Sequence, residues 1–123
     1  MAVATLAQEL ALQHPRLNSD LLLCAAIVHD LGKTREFTYG ATIGATEAGR
    51  LLGHVQLGLR MLEARGAAIL GEQRMLALAH CVLCHHGAEA APGRRFASPE
   101  ALALHRINAL DASVKEALEH GLG

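Results

Sequence analysis

Leu21-Leu22-Leu23-Cys24-Ala25-Ala26-Ile27-Val28-His29-Asp30-Leu31-Gly32-Lys33 is the stretch on which the fold turns. Leu21 to Val28 is apolar without a break, so a helix made of it has no solvent side and sits among other helices at the centre of a bundle. The run is far too short to cross a bilayer, which takes about 20 residues. Asn18, Ser19 and Asp20 offer caps before it, and Gly32 closes it after Leu31. At its end the helix carries an imidazole and a carboxylate, His29 and Asp30, to a place surrounded by other helices.

The flanking sequence has the same helical character. Ala and Leu dominate, Gly and Pro punctuate, and no β-branched alternation appears, which predicts helices joined by loops. A first helix covers about Val3 to Gln13 and stops before Pro15. Lys33 to Ala45 reads as a loop, and Thr46 caps a third helix that reaches about Arg65 and ends at Gly66. A fourth spans Glu72 to His86 and meets Gly87. After a Pro/Gly/Arg loop from Gly87 to Ala97, Ser98-Pro99-Glu100 opens a fifth helix to about His120. The 123 residues make one domain, an all-α bundle of about five main helices.

Composition excludes several function classes. With 51% hydrophobic and 19% charged residues the chain is not disordered. Eleven basic against twelve acidic side chains leave a net charge of -1, which gives no strong electrostatic footprint for nucleic acid. Phe37, Tyr39 and Phe96 are too few to make a stacking platform for bases. Three cysteines without an apolar N-terminal signal predict a soluble protein in the reducing cytoplasm, with no membrane partner; a homo-oligomer stays open. Eight histidines stand out against this background, and histidine is the residue of metal ligation and of proton transfer near neutral pH.

Placing side chains at 100° per residue aims several of these groups inward. In the third helix Leu51, Val55, Leu59 and Leu62 define the inner stripe, with His54 on its flank. In the fourth, Met75, Leu78, Ala79 and Val82 put His86 at the centre of the stripe and His85 at its edge, with His80 and Cys84 outside. In the fifth, Asp111 sits among Ile107, Leu110, Val114 and Leu118, where an ionised carboxylate is costly unless paired or bound to a cation. His29-Asp30 and His85-His86 each end a helix, and two converging helix C-termini favour a bound cation. Mixed imidazole and carboxylate ligands suit iron, manganese, zinc or similar divalent ions, and the set suggests more than one ion. His80, His105 and His120 fall on polar faces as surface residues, and His14 is a turn residue.

The ordered series of His29-Asp30, then Glu47-Ala48-Gly49-Arg50-Leu51-Leu52-Gly53-His54, then His85-His86-Gly87, then Ala103-Leu104-His105 and Leu110-Asp111-Ala112 resembles the HD-domain metal-dependent phosphohydrolases. Within that superfamily it is most similar to the HD domain of YhaM-type 3′-to-5′ exoribonucleases, over nearly the whole chain. The resemblance implies a helical bundle with a two-ion centre: His29, Asp30 and Asp111 for one divalent ion, and Asp30, His54, His85 and His86 for a second, the ions being manganese, iron, magnesium or similar. It implies hydrolysis of a phosphoester, in a small phosphorylated substrate, a nucleotide or a short oligonucleotide, by a hydroxide formed on the metal, with Asp30 central to catalysis. Lys33 matches a family lysine that offsets charge on a phosphate oxygen, and Arg94 and Arg95 are candidates to grip a second phosphate. Helix matching places the family's first ligand, a histidine, just before Met1, so the chain is expected to be truncated there and its activity impaired. The OB-fold domain that accompanies the HD domain in the exoribonucleases is likewise expected to be missing, so processive degradation of RNA is not expected.

Other readings compete. A catalytically impaired metal- or nucleotide-binding module shares every feature above. Cys81-Val82-Leu83-Cys84-His85 spells the attachment sequence of a c-type haem protein, although haem attachment needs export. Each side chain also has an ordinary role: His29 bonded to its neighbour, His54 a satisfied half-buried histidine, Asp111 paired with Arg106 or Arg74, Lys33 solvated at a helix C-terminus, and Arg94 and Arg95 in a solvated loop.

Overall fold

The structure, a computed structural model, describes residues 2–30, 37–38 and 44–123. The helices are α1 (Ala2–Gln13), α2 (Ser19–Val28), α3 (Glu47–Leu70), α4 (Glu72–Leu83) and α5 (Pro99–His120), with a 3₁₀ turn at Ala88–Ala90. Two-residue strands, β1 (Phe37–Thr38) and β2 (Gly44–Ala45), pair antiparallel within the stretch expected to be a loop, and leave the class all-α.

Helix α2 occupies the centre, packed against α1, α4 and α5. Its side chains explain why: Leu22, Ala25 and Ala26 are fully buried, and the two alanines let neighbouring helices come close. They meet Ala7 of α1, Met75, Leu78, Cys81 and Val82 of α4, and Ala101, Leu104 and Ile107 of α5 in one core. The Asn18 side chain accepts from the Leu21 N–H at 3.1 Å, and Ser98 caps α5 by accepting from the Ala101 N–H at 3.2 Å. Glu100 is buried, and its carboxylate accepts from the Asn18 N–H at 2.9 Å, which ties the starts of α2 and α5 together.

Several sequence expectations are corrected. Helix α3 does not stop at Gly66 but runs on to Leu70, because that glycine serves packing: a Cβ there would lie 3.1 Å from the Met75 sulfur. The stop is Gly71, at φ 81°. Gly53 interrupts α3 with φ 75° and ψ 167°, a conformation glycine adopts without a side-chain clash, and the phase of the helix changes beside His54. Leu51, on the far side of that break, is 65% exposed, while Leu57 and Leu62 are buried. In α5 the expected inner stripe is exposed at Leu110, Val114 and Leu118, and burial falls instead on Ala101, Ala103, Leu104 and Ile107. At 1.5 Å per residue, α5 is roughly 33 Å long against roughly 15 Å for α2, so its second half extends beyond the helix it packs on.

Candidate metal centre

Helix α2 ends at Val28 and α4 at Leu83, each shorter than the sequence predicts. Just past each end a buried histidine turns back on its own helix. The Nδ1–H of His29 donates to the carbonyl of Ala26, and the Nδ1–H of His85 to the carbonyl of Val82, both at 2.6 Å. A carbonyl only accepts, so each Nδ1 carries the proton and Nε2 is left to face the interior of the site. These bonds also satisfy carbonyls that a helix end leaves without intrahelical partners.

The Nε2 atoms meet around Asp30. Its Oδ2 lies 3.0 Å from His29 Nε2, and its Oδ1 lies 3.7 Å from His85 Nε2 and 3.8 Å from His54 Nε2. His54 and His86 approach Nε2 to Nε2 at 3.0 Å. Ring centroids are 5.2 Å apart for His29 and His85, 5.1 Å for His54 and His86, and 4.0 Å for His85 and His86. Each of His54, His85 and His86 offers a nitrogen within 4.8 Å of the others, an arrangement that could hold a metal ion. His85 Nε2 is buried and has no hydrogen-bond partner among the described residues. Burial, aided by the neighbouring His86 and His29, pulls the His85 pKa down to about 4, against the opposing pull of its bond to Val82 and of Asp30. It is therefore neutral at pH 7, the state in which imidazole binds metal. An unprotonated, buried nitrogen facing a carboxylate fits a divalent cation.

The structure thus brings together His29, Asp30, His54, His85 and His86. It reverses the expected order of the last two: His85 is fully buried and His86 exposed, because α4 ends before either residue and helical phase no longer sets their directions. Asp111 pairs with Lys115 at 2.9 Å, one turn along α5, rather than with Arg106 or Arg74. Arg94 and Arg95 lie exposed in the loop after the 3₁₀ turn, Arg94 with φ 54°. Lys33 lies outside the described residues.

Two histidines assigned to the surface are half-buried. The Nδ1–H of His105 donates to the carbonyl of His85 at 3.0 Å, and its ring lies 5.5 Å from that of Phe96. His80 Nε2 accepts from the Ala97 N–H at 2.8 Å. Partners that are backbone groups leave no mark in a sequence, so polar-face placement alone misses them. Cys84, expected outside, is fully buried, as is Cys81. Burial pushes the Cys81 thiol up to about 11 and raises that of Cys84. Both sulfurs of the haem-like motif are sealed in helix packing, away from any face where a porphyrin could attach. Cavities of about 360 Å³ beside Cys24 and Arg74, and about 590 Å³ beside Arg16 and Arg106, are lined by other residues than this cluster. No helix among the described residues is long and apolar enough to cross a membrane.

Residues 1–115 match the family profile described as HD domain. The chain is 34% identical over 116 residues to the 3'-5' exoribonuclease YhaM of Bacillus subtilis (strain 168), covering 93% of this chain and 37% of that protein. It is 37% identical over 117 residues to the YhaM exoribonuclease of Geobacillus sp. (strain WCH70), covering 93% and 36%. For the same enzyme of Bacillus pumilus (strain SAFR-032) the identity is 36% over 121 residues, covering 94% and 38%. The chain spans a little over a third of the length of these curated relatives. No solved structure matches it.

Proposed function

Because the chain belongs to the HD-domain family, we propose that it is a divalent-metal-dependent phosphohydrolase that cleaves a phosphoester in a nucleotide or short oligonucleotide. The observation that carries this reading is the convergence on Asp30 of His29, His54 and His85, two of them fixed by Nδ1–H bonds to their own helices. The two oxygens of Asp30 face different sides, Oδ2 towards His29 and Oδ1 towards His54 and His85, so Asp30 is the residue that would serve both ions. His29, Asp30 and Asp111 would hold one ion, and Asp30, His54, His85 and His86 would hold the other. Manganese, iron or magnesium suits these donors to different degrees, and when bound supplies water activation and charge stabilisation for in-line displacement at phosphorus.

The protein's own groups prepare the site. The Nδ1–H bonds of His29 and His85 hold their rings against rotation and make Nε2 a better donor to a cation. Burial keeps His85 neutral at physiological pH, so no proton has to leave it before a ligand bond forms. The exposed His86 stands at the solvent side, where a phosphoester can approach. Arg94 and Arg95 enter as groups that neutralise a second phosphate.

The relatives named as 3'-5' exoribonucleases support a phosphodiester as the bond broken. A net charge of -1 and three aromatics favour a short substrate over a long strand. Metal content by plasma emission, together with hydrolysis of bis(p-nitrophenyl) phosphate in added manganese, tests the proposal. Turnover is expected in the wild type and none in Asp30→Ala. An unchanged rate in that variant removes the bridging role, and metal uptake without turnover leaves a binding module.

A further inference from the structure

We infer that His105 is a positioning residue for the metal centre, acting through the main chain of His85; this rests on the metal-binding reading above. His85 lies beyond the last residue of α4, where the helical ladder no longer fixes its carbonyl. From α5, twenty residues on, the Nδ1–H of His105 donates to that carbonyl at 3.0 Å. Just past it the chain turns tightly, with the Gly87 N–H donating to the Cys84 carbonyl at 2.9 Å. The peptide linking His85 to His86 is thereby held from α5, and with it the directions of two rings whose centroids are 4.0 Å apart.

His105 is itself held. Its ring lies against Phe96, tilted by 33° at 5.5 Å, and the next residue, Ala97, donates its N–H to His80 Nε2 on α4. Phe96 and Ala97 thus fasten the end of the loop to α5 and α4 at adjacent points, which keeps His105 from swinging away. A carbonyl acceptor requires a proton on Nδ1, which the neutral ring supplies, so the tie does not depend on His105 being charged. Groups that orient ligands from outside the coordination sphere typically contribute about 10- to 100-fold in metal affinity.

Titration of the metal-free full chain with cobalt(II), read by calorimetry and visible d–d absorption, tests the inference. His105→Phe keeps a ring beside Phe96 but loses the donor; it is expected to bind cobalt about 10- to 100-fold more weakly, with a changed d–d band. His105→Asn, whose amide can place an N–H near the position of Nδ1, is expected to restore near wild-type affinity and spectrum. Wild-type affinity in His105→Phe overturns the inference, as does an equal loss in His105→Asn. If His105→Phe does not fold, Phe96→Leu, which frees the ring but leaves the donor, is expected to weaken binding in the same direction, and wild-type binding there overturns the inference. The metal reading fails separately: it is overturned if the wild type takes up no cobalt, or if His85→Ala binds as well as wild type.

Discussion

At the end of α2, His29 donates to Ala26 and is followed by Asp30; at the end of α4, His85 donates to Val82 and is followed by His86. The two bonds have the same length and the same three-residue reach, yet the second residue differs in both chemistry and surroundings. Asp30 turns its oxygens towards three imidazoles, whereas His86 is exposed and meets His54. Each helix end ties one imidazole back to its own last turn, and the residue after it decides what charge the site contains. Asp30 is the carboxylate that both sides share, and burial keeps His85 opposite it neutral at pH 7.

Breaking the comparison at its charged member has the largest expected effect. Asp30→Asn keeps the shape but removes the charge, and manganese-dependent turnover should fall by at least about 1,000-fold, roughly 4 kcal/mol in the barrier. A fall below tenfold in steady-state assays contradicts the shared role.

The next effect comes from pH. His85 has a lower pKa folded, about 4, than its ordinary 6.5, so the unfolded chain binds more protons between those values. The stability this group contributes is present above pH 6.5 and is lost as pH falls towards 4, by about 3 kcal/mol. Urea midpoints of the metal-free protein should drop across that window, and His85→Leu should remove most of the dependence. A flat wild-type profile contradicts the assignment. His86→Ala sharpens the contrast between the paired histidines. Being exposed, it should change metal-free stability by less than about 0.5 kcal/mol while weakening metal binding about tenfold. Equal losses in both measurements would mean that His86 is structural. The smallest effect is expected far from the cluster, at Leu118, which is 82% exposed: Leu118→Lys should shift the unfolding midpoint by less than about 0.5 kcal/mol, and a larger loss would show that the stripe is packed.

The sequence carries the fold class and the His-Asp end of α2 openly, because an unbroken apolar run marks a central helix, although not one buried all round: Ile27, within the run, is 54% exposed. It also carries His54 and the His-His pair as members of an ordered series. It does not carry the roles within that pair, since those depend on α4 ending at Leu83, and periodicity gives no direction past a helix end. Nor does it reveal His105, whose partner is a backbone carbonyl. The stripe of Leu110, Val114 and Leu118 has the right period but is exposed among the described residues, a matter of relative helix length rather than local pattern. Gly66 and Gly71 are alike as letters and differ in what surrounds them.

The proposed function requires that Asp30 and the histidines around it share divalent ions. Anomalous diffraction at the manganese edge, from crystals grown with that ion, tests it most directly. Peaks are expected within bonding distance of Asp30 and of His85 Nε2. Strong manganese peaks elsewhere, with none near Asp30, would contradict it.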